Sequence, residues 1–307
     1  MSLLVVGSVA FDALETPFGK TDKIIGGSGT YISLSSSYYS PQVKLVGVVG
    51  EDFLQSDLQM MQKHGISTEG VQIKQGEKSF FWKGKYHTDM NTRDTLVTEL
   101  NVLENFDPVI PDSYQDCDYL MLGNLAPVVQ RQVIERLNKR PKLIAMDTMN
   151  FWMDIALDDL KQTMKLVDVV IVNDEEARQL SGEFSLVKAA EKIKSMGPQI
   201  IIIKKGEHGA LLFAEDKIFY APALPLEEVF DPTGAGDTFA GGFIGYLARQ
   251  QEINFENMKR AVIYGSAMAS FCVEKFGSER LQFLEPYQIN DRVNEFVNLV
   301  KFDVIEL

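Results

Sequence analysis

An α/β fold with a central, mostly parallel sheet and a smaller sheet beside it is the class this sequence predicts, on three observations. From Asp118 onward, apolar runs at 119–123, 143–147, 169–173 and 200–204 alternate with segments of helical spacing at 127–137, 157–166, 175–180 and 186–196. Strands separated by helices need right-handed crossovers, which cover both faces of a parallel sheet and favour continuous apolar strands. The second observation is the same signature near the start, at Leu3-Leu4-Val5-Val6 and at 43–50. The third is a break in the rhythm. Between 71 and 100, polar and apolar residues alternate around Phe80, Phe81, Trp82, Lys83, Tyr86 and His87, with Gly76 and Gly84 as turns. With residues 11–25 they predict antiparallel strands outside the main sheet.

Taken in order, the elements place several polar residues where chemistry is done. Asp12 follows the first apolar run, and in open α/β sheets ligands sit beyond the carboxyl ends of strands, so Asp12 is either a ligand contact or a plain turn aspartate. Gly26-Gly27-Ser28-Gly29 opens a helix through Tyr31, Ile32, Leu34 and Ser35, and its glycines permit close approach. It is not expected to be a dinucleotide fingerprint, because Ile32 stands where a third glycine is needed and no strand is predicted to end directly before it. After 43–50, Leu54, Leu58, Met61 and His64 keep helical spacing, with His64 covering the helix end. Asp147 and Asn173 fall at carboxyl ends of strands. Asn173-Asp174-Glu175-Glu176 supplies acids to a first helical turn, and Lys204-Lys205-Gly206-Glu207-His208-Gly209 is either a ligand-lining stretch or a hairpin connection. The small residues of 261–270 form a helix able to pack closely on its neighbour.

A chain of 307 residues, 45% hydrophobic and with no linker, repeat or low-complexity tract, is expected to form one domain over 1–307. Its formal charge of −13 lacks the electrostatic footprint of a nucleic-acid binder, so a phosphate ligand would need local positive groups. With no apolar run of about 18 residues and no basic flank at the start, the expectation is no membrane span, no signal peptide and a cytoplasmic protein. Cys117 and Cys272 stand apart, without partners at ligand spacing, which argues for ordinary thiols. The Gly-x-x-x-x-Gly-Lys-Ser/Thr loop, the protein-kinase motifs and the Gly-x-Ser-x-Gly elbow are all missing from the sequence.

The densest stretch is 231–243. Pro232 and the nearby glycines stop any preceding strand, and from Asp237 onward Phe239, Phe243, Tyr246 and Leu247 keep helical spacing. A helix N-terminus offers unpaired N–H groups and a partial positive charge, and Gly234, Ala235 and Gly236 leave room for an anion to approach them. Asp237 at that mouth would repel a phosphate unless it takes a proton from a hydroxyl; as a lone tetrapeptide the motif also fits a turn with a capping aspartate.

Asp-Pro-Thr-Gly-Ala-Gly-Asp-Thr-Phe-Ala-Gly-Gly-Phe at 231–243 resembles, without a gap, the C-terminal signature of the PfkB/ribokinase family of ATP-dependent sugar and nucleoside kinases. Further motifs follow in the family's order across essentially the whole chain: Gly26-Gly27, Asn173-x-x-Glu176, and Lys204-x-Gly206-x-x-Gly209. The resemblance implies a three-layer ribokinase-like fold with a β lid from about 11–25 and 71–100, whose closure excludes water from the transfer. It implies Asp237 as catalytic base, Gly234, Ala235 and Gly236 as the anion hole, and Asp12 holding two acceptor hydroxyls. Gly26, Gly27 and Tyr31 would line the acceptor pocket. Tyr31 stands where many members have Asn, which trades an amide for a ring face or a phenol. Lys204, Gly206, Gly209 and Asn173 would meet the nucleotide, and Glu176 would hold Mg²⁺ through water. Asp231, Thr233, Gly277 and Ser278 are the expected surroundings of a monovalent cation, K⁺, as some members bind it. Cofactors are thus ATP and Mg²⁺, with K⁺ as a further expectation, and two copies would pair through the lid.

A pentose, a hexose and a ribonucleoside all offer a diol to Asp12 and a primary hydroxyl to Asp237. A sugar acceptor is the first expectation and a nucleoside the alternative, favoured if Phe11, Phe81, Trp82 or Tyr31 forms an aromatic wall. A non-catalytic sugar or nucleoside sensor is the reading from another class; it has no need of a base beside a phosphate seat.

Overall fold

Beginning at Leu3, thirteen strands form in the computed structural model, which describes residues 1–303; residues 304–307 of the expected domain lie outside the described residues. They are β1 (Leu3–Val6), β2 (Ala10–Thr16), β3 (Gly19–Gly26), β4 (Val43–Gly50), β5 (Ile66–Lys74), β6 (Phe80–Tyr86), β7 (Arg93–Glu99), β8 (Tyr119–Leu122), β9 (Leu143–Asp147), β10 (Val169–Asn173), β11 (Ile200–Lys204), β12 (Ala210–Ala214) and β13 (Lys217–Ala221). Nine of them make one sheet in the order β13-β12-β11-β10-β9-β8-β1-β4-β5. From β11 to β5 every pair is parallel; only β12 and β13 run antiparallel, as a meander at one edge.

The apolar runs explain this sheet. Successive side chains point to opposite faces, so Leu3 and Val5 join one core while Leu4 and Val6 join the other, all at 0% exposure. Each such side chain is worth about 1.5–3 kcal/mol relative to exposure, which holds the central strands far more firmly than backbone pairing alone. On the first face, helix Ser28–Ser37 packs against helix Ala235–Gln250, which in turn packs against helix Phe255–Cys272. A Cβ on Gly241 would lie 2.4 Å from the Ile32 carbonyl oxygen, and one on Gly242 2.9 Å from the Gly265 Cα. The small residues therefore set how closely these helices approach, as 261–270 predicts.

Chain order reverses beside β1, with β4 and β5 on one side and β8 to β11 on the other. Ligands of open α/β sheets bind at such a switch, outside the carboxyl ends. Asp147, Asn173 and Lys204 end β9, β10 and β11 on that rim.

The second sheet, β3-β2-β6-β7, forms the lid, with three corrections to what the sequence predicts. Its segments are 10–26 and 80–99, because Val71 to Lys74 belong to β5 of the main sheet. As an edge strand with one side in water, β5 carries the mixed pattern of a lid strand. The pairing is also not all antiparallel: β2 and β6 run parallel, since α/β elements intervene between them and return the chain in the same direction. Finally, Phe11 and Phe81 share the face opposite to Asp12. Phe11 lies tilted against Phe53, ring centroids 5.1 Å apart, and of Phe11, Phe81 and Trp82 only Trp82, the register partner of Asp12, lies on the Asp12 face.

Candidate active site

Gly234 adopts φ +75°, a conformation that favours glycine, and caps helix Ala235–Gln250 without a side-chain hydrogen bond. A Cβ there would meet the Tyr31 ring at 2.5 Å. Tyr31 packs against the loop at 1% exposure, and its hydroxyl, with no protein partner among the described residues, shares its surroundings with Asp12, Asp231 and Tyr86. The Ala235 N–H turns back to the Pro232 carbonyl at 3.2 Å, which removes it from the expected anion hole. The N–H groups of Gly236 and Asp237 have no protein acceptor among the described residues. At a helix start these are the donors an anion would use, worth up to about 2 kcal/mol where partly buried.

Asp237 stands half-buried on the first turn. Burial first and the neighbouring Asp147 second push its carboxyl up to about 7, against the pull of Lys204. Lys204 Nζ donates to Asp147 Oδ2 at 2.9 Å and lies 2.8 Å from where a Gly236 Cβ would be. A side chain at 236 would displace the ammonium from beside the helix start. Burial works against that ammonium, but Asp147 and Glu176 outweigh it and hold Lys204 charged. The lysine thus meets the local positive charge that an acidic chain needs.

Asn173 and Glu176 form a reciprocal cap: Asn173 Oδ1 accepts from the Glu176 N–H at 2.8 Å, and Glu176 Oε2 from the Asn173 N–H at 2.7 Å. Glu176 is 7% exposed, and burial, with Asp147 adding, raises its carboxyl to about 7. Among the described residues no three acids, histidines or cysteines converge to ligate a metal directly. Three carboxylates, Asp147, Glu176 and Asp237, against one ammonium still leave excess negative charge, which fits Mg²⁺ bound through its waters.

On the lid side, Asp12 lies in β2 at 4% exposure. Burial, then Asp231 and Asp237, raise its carboxyl to about 8, while the Gly27 N–H opposes this. A Cβ on Gly26 would stand 1.9 Å from Asp12 Oδ2, and Gly27 takes φ +91° with its Cβ position 2.4 Å from the Ser8 carbonyl oxygen. The paired glycines give the carboxylate a backbone to lie against.

Asp231 is 0% exposed and clamps two loops: Oδ1 accepts from the Thr233 N–H at 2.9 Å and Oδ2 from the Gly277 N–H at 2.7 Å. The Thr233 hydroxyl donates to the Tyr86 phenol oxygen at 3.1 Å, and Ser278 Oγ accepts from Gln282. Asp231 thus ties Thr233 and Gly277 to each other, while the Thr233 hydroxyl and Ser278 turn to Tyr86 and Gln282, and no step is assigned to K⁺.

A cavity of about 450 Å³ opens beside the anion loop. Lys204, Gly206, Gly209 and Gly236 line it together with the apolar Leu226, Val229, Phe239 and Val273. Gly206 and Gly209 take φ +53° and +83°, so the stretch is at once a connection between antiparallel strands and a cavity wall. An apolar slot ending at a lysine and a helix N-terminus fits a nucleoside triphosphate. The candidate-site positions to which the sequence gives no role are Asp147, Tyr86 and the apolar wall; of these only Asp147, at the carboxyl end of a buried strand, carried a signal.

A family profile described as pfkB family carbohydrate kinase matches residues 3–282. The chain is 30% identical over 255 residues to a cytidine kinase of Thermococcus kodakarensis, spanning 81% of this chain and 89% of that one. To a nucleoside kinase of Methanothermobacter thermautotrophicus it is 24% identical over 306 residues, 90% and 91% of the two chains. Among solved structures, Burkholderia thailandensis nucleoside kinase in complex with inosine superposes at a TM-score of 0.78 over 97% of this chain and 99% of that one; at 20% identity this bears on fold alone. With Asp237 at a helix start, Lys204 beside it and a family match from Leu3 to Gln282, the chain belongs to the pfkB family of carbohydrate kinases and is an ATP-dependent kinase with an alcohol acceptor.

Proposed function

We propose that the acceptor is a ribonucleoside, phosphorylated on a ribose hydroxyl. The observation that carries this is the 30% identity to a cytidine kinase over most of both chains. Trp82 supports it, as a ring beside Asp12 on the inner lid face where a base needs flat apolar surface. A free sugar, first on sequence grounds, becomes the second reading, since Asp12 would hold either diol.

In this reading Asp12 accepts hydrogen bonds from the acceptor diol and fixes its attack angle. Asp237 takes the proton of the attacking hydroxyl, and its raised pKa suits it to do so near neutrality. The Gly236 and Asp237 amides and Lys204 face the transferring phosphoryl and stabilise its charge without reorganising. Mg²⁺, when bound, neutralises the phosphate oxygens; Asn173 and Glu176 would orient its waters. Lid closure excludes water that would otherwise compete with the acceptor.

The test is an ADP-release assay with magnesium on ribose, fructose, adenosine, inosine and cytidine, with and without potassium. A nucleoside preferred by about tenfold or more in kcat/KM, about 1.4 kcal/mol, is the expected result. Ribose or fructose preferred by that margin overturns the nucleoside assignment. Binding of an acceptor with no ADP from any of the five would favour a sensor.

A further inference from the structure

Two long helices late in the chain stack beside the nucleotide cavity. Helix Phe255–Cys272 gives the cavity Ser266, Ala269 and Ser270, one face at helical spacing, and Val273 follows at its end. With the phosphates at Gly236 and Lys204, this face meets the nucleoside part of the donor. Helix Pro286–Val300 packs against helix Phe255–Cys272. Its inward stripe is Ile289, Arg292 and Phe296, at i, i+3 and i+7, which places an arginine between two buried apolar residues. The family match ends at residue 282, so it assigns this helix no role.

Arg292 reaches into the protein rather than out to water. Its side chain is 13% exposed, and the guanidinium carbon lies 3.9 Å from the centroid of the Phe271 ring. Nη1 donates to Ser270 Oγ at 2.7 Å and Nη2 to Glu274 Oε1 at 2.7 Å, while Glu274 Oε2 accepts from Arg280 Nε at 3.0 Å. The Ser270 hydroxyl in turn donates to the Ala267 carbonyl at 2.7 Å. Ser270, a lining residue of the cavity, is thus held at both ends, its hydrogen on the backbone and a lone pair on the guanidinium. Taking a guanidinium out of water is costly, and a helix that needed only to pack would be held as well by an apolar side chain at 292. The planar fork instead fixes two acceptors at once. Both acceptors flank the end of the cavity wall. Glu274 follows Val273, whose carbonyl accepts from the Phe230 N–H at 2.9 Å and the Asp231 N–H at 3.4 Å.

We propose that Arg292 is a positioning residue for the donor nucleotide: acting through Ser270, it holds the wall of helix Phe255–Cys272 where the nucleoside of ATP lies against it. Arg292 reaches neither the phosphates nor the acceptor, so it sets the affinity for the nucleotide and not the rate of transfer. This rests on the cavity being the donor site and not on which acceptor the enzyme uses.

The first test needs no acceptor. Calorimetric titration with Mg-ADP and with Mg-tripolyphosphate, which carries phosphates but no nucleoside, compares the parent with Arg292→Met, Arg292→Lys, Ser270→Ala and the double variant Arg292→Met/Ser270→Ala. Methionine keeps an apolar stem over Phe271 and leaves Glu274 paired with Arg280. Arg292→Met should weaken Mg-ADP about tenfold and Mg-tripolyphosphate less than about twofold, with Arg292→Lys between parent and Met and Ser270→Ala weaker by about threefold on Mg-ADP. Because the two residues act as one unit, the double variant should bind Mg-ADP about as well as Arg292→Met alone. Unchanged Mg-ADP affinity in Arg292→Met, equal loss of both ligands, or losses that multiply in the double variant overturn the proposal. Should Arg292→Met fail to fold, Arg292→Lys and Ser270→Ala decide, and Mg-ADP affinity equal to that of the parent in both overturns it. With whichever acceptor turns over, Arg292→Met should raise the KM for ATP about tenfold with kcat within about twofold, a split that general loosening would not give; a loss confined to kcat overturns the assignment. A parent that binds Mg-ADP but phosphorylates no nucleoside would defeat the acceptor reading alone, because the nucleotide titrations still decide the role of Arg292.

Discussion

Strands β1, β8 and β9 of the main sheet are buried on both faces, whereas β3 and β7 at the edges of the lid keep most of their residues partly or fully in water. Both sheets carry candidate site residues: the main sheet and the helix behind it hold Asp147, Lys204 and Asp237, the lid Asp12 and Tyr86. Regions with few buried contacts open at low free-energy cost, and regions packed on both faces do not. On the proposed mechanism this contrast corresponds to a division of labour in which groups that handle the phosphoryl are fixed in advance and groups that meet the acceptor arrive with closure. Substitutions on the two sides should therefore fail in different ways.

The largest effect is expected on the fixed side. Asp237→Asn keeps the shape of the first turn but removes the base, so kcat should fall by about 10²-fold or more while acceptor binding is largely retained. The parent should also show an ascending limb in kcat/KM near pH 7, because burial and Asp147 hold Asp237 protonated below that point. Steady-state kinetics from pH 5.5 to 9 would check both. A variant as fast as the parent, or one losing acceptor binding as heavily as turnover, would break the division.

A smaller effect should mark the moving side. The Tyr86 phenol and the Thr233 hydroxyl form a side-chain tie between lid and anion loop. Such a hydrogen bond is worth about 1 kcal/mol net, so Tyr86→Phe should lower kcat/KM roughly fivefold through a higher acceptor KM, with the melting temperature nearly unchanged. A loss confined to kcat would place Tyr86 with the fixed groups instead.

The same contrast governs what the sequence reveals. Continuous apolar runs over-determine the main strands, and the ungapped stretch 231–243 marks the helix start that carries Asp237. Lid edges were harder. β5 mimics a lid strand because one side of it is wet, and the parallel register of Asp12 with Trp82 joins positions that no local pattern connects. The orientation of Tyr31 was not legible either: its helix is buried on all sides from Ser28 to Ser36, so no periodicity says which face meets the acceptor, and the ring lies against Gly234. The Lys204–Asp147 pair spans 57 positions, and only their shared place at carboxyl strand ends hinted at it.

The smallest expected effect concerns stability, and it weighs lid against main sheet directly. Asp12 is held at about 8 in the folded, ligand-free protein by burial and by Asp231 and Asp237, against about 3.9 in an unfolded chain. The native state therefore keeps a proton that the unfolded chain releases above about pH 4. Its stabilising contribution is full below that pH and is lost as pH rises through about 8. Asp237 and Glu176 are shifted in the same direction, so the melting temperature of the parent should fall between pH 5 and pH 8.5. Asp12→Asn replaces the neutral acid with a neutral amide of the same shape. It should match the parent at pH 5 and melt about 2 °C higher or more at pH 8.5, at the expense of acceptor binding. Asp237→Asn should flatten the slope in the same way but leave acceptor binding in place. Scanning calorimetry of the three proteins across that range separates the contributions. If Asp12→Asn follows the slope of the parent throughout, the lid carboxylate does not carry the charge burden assigned to it, and the acids around Lys204 account for the pH dependence by themselves.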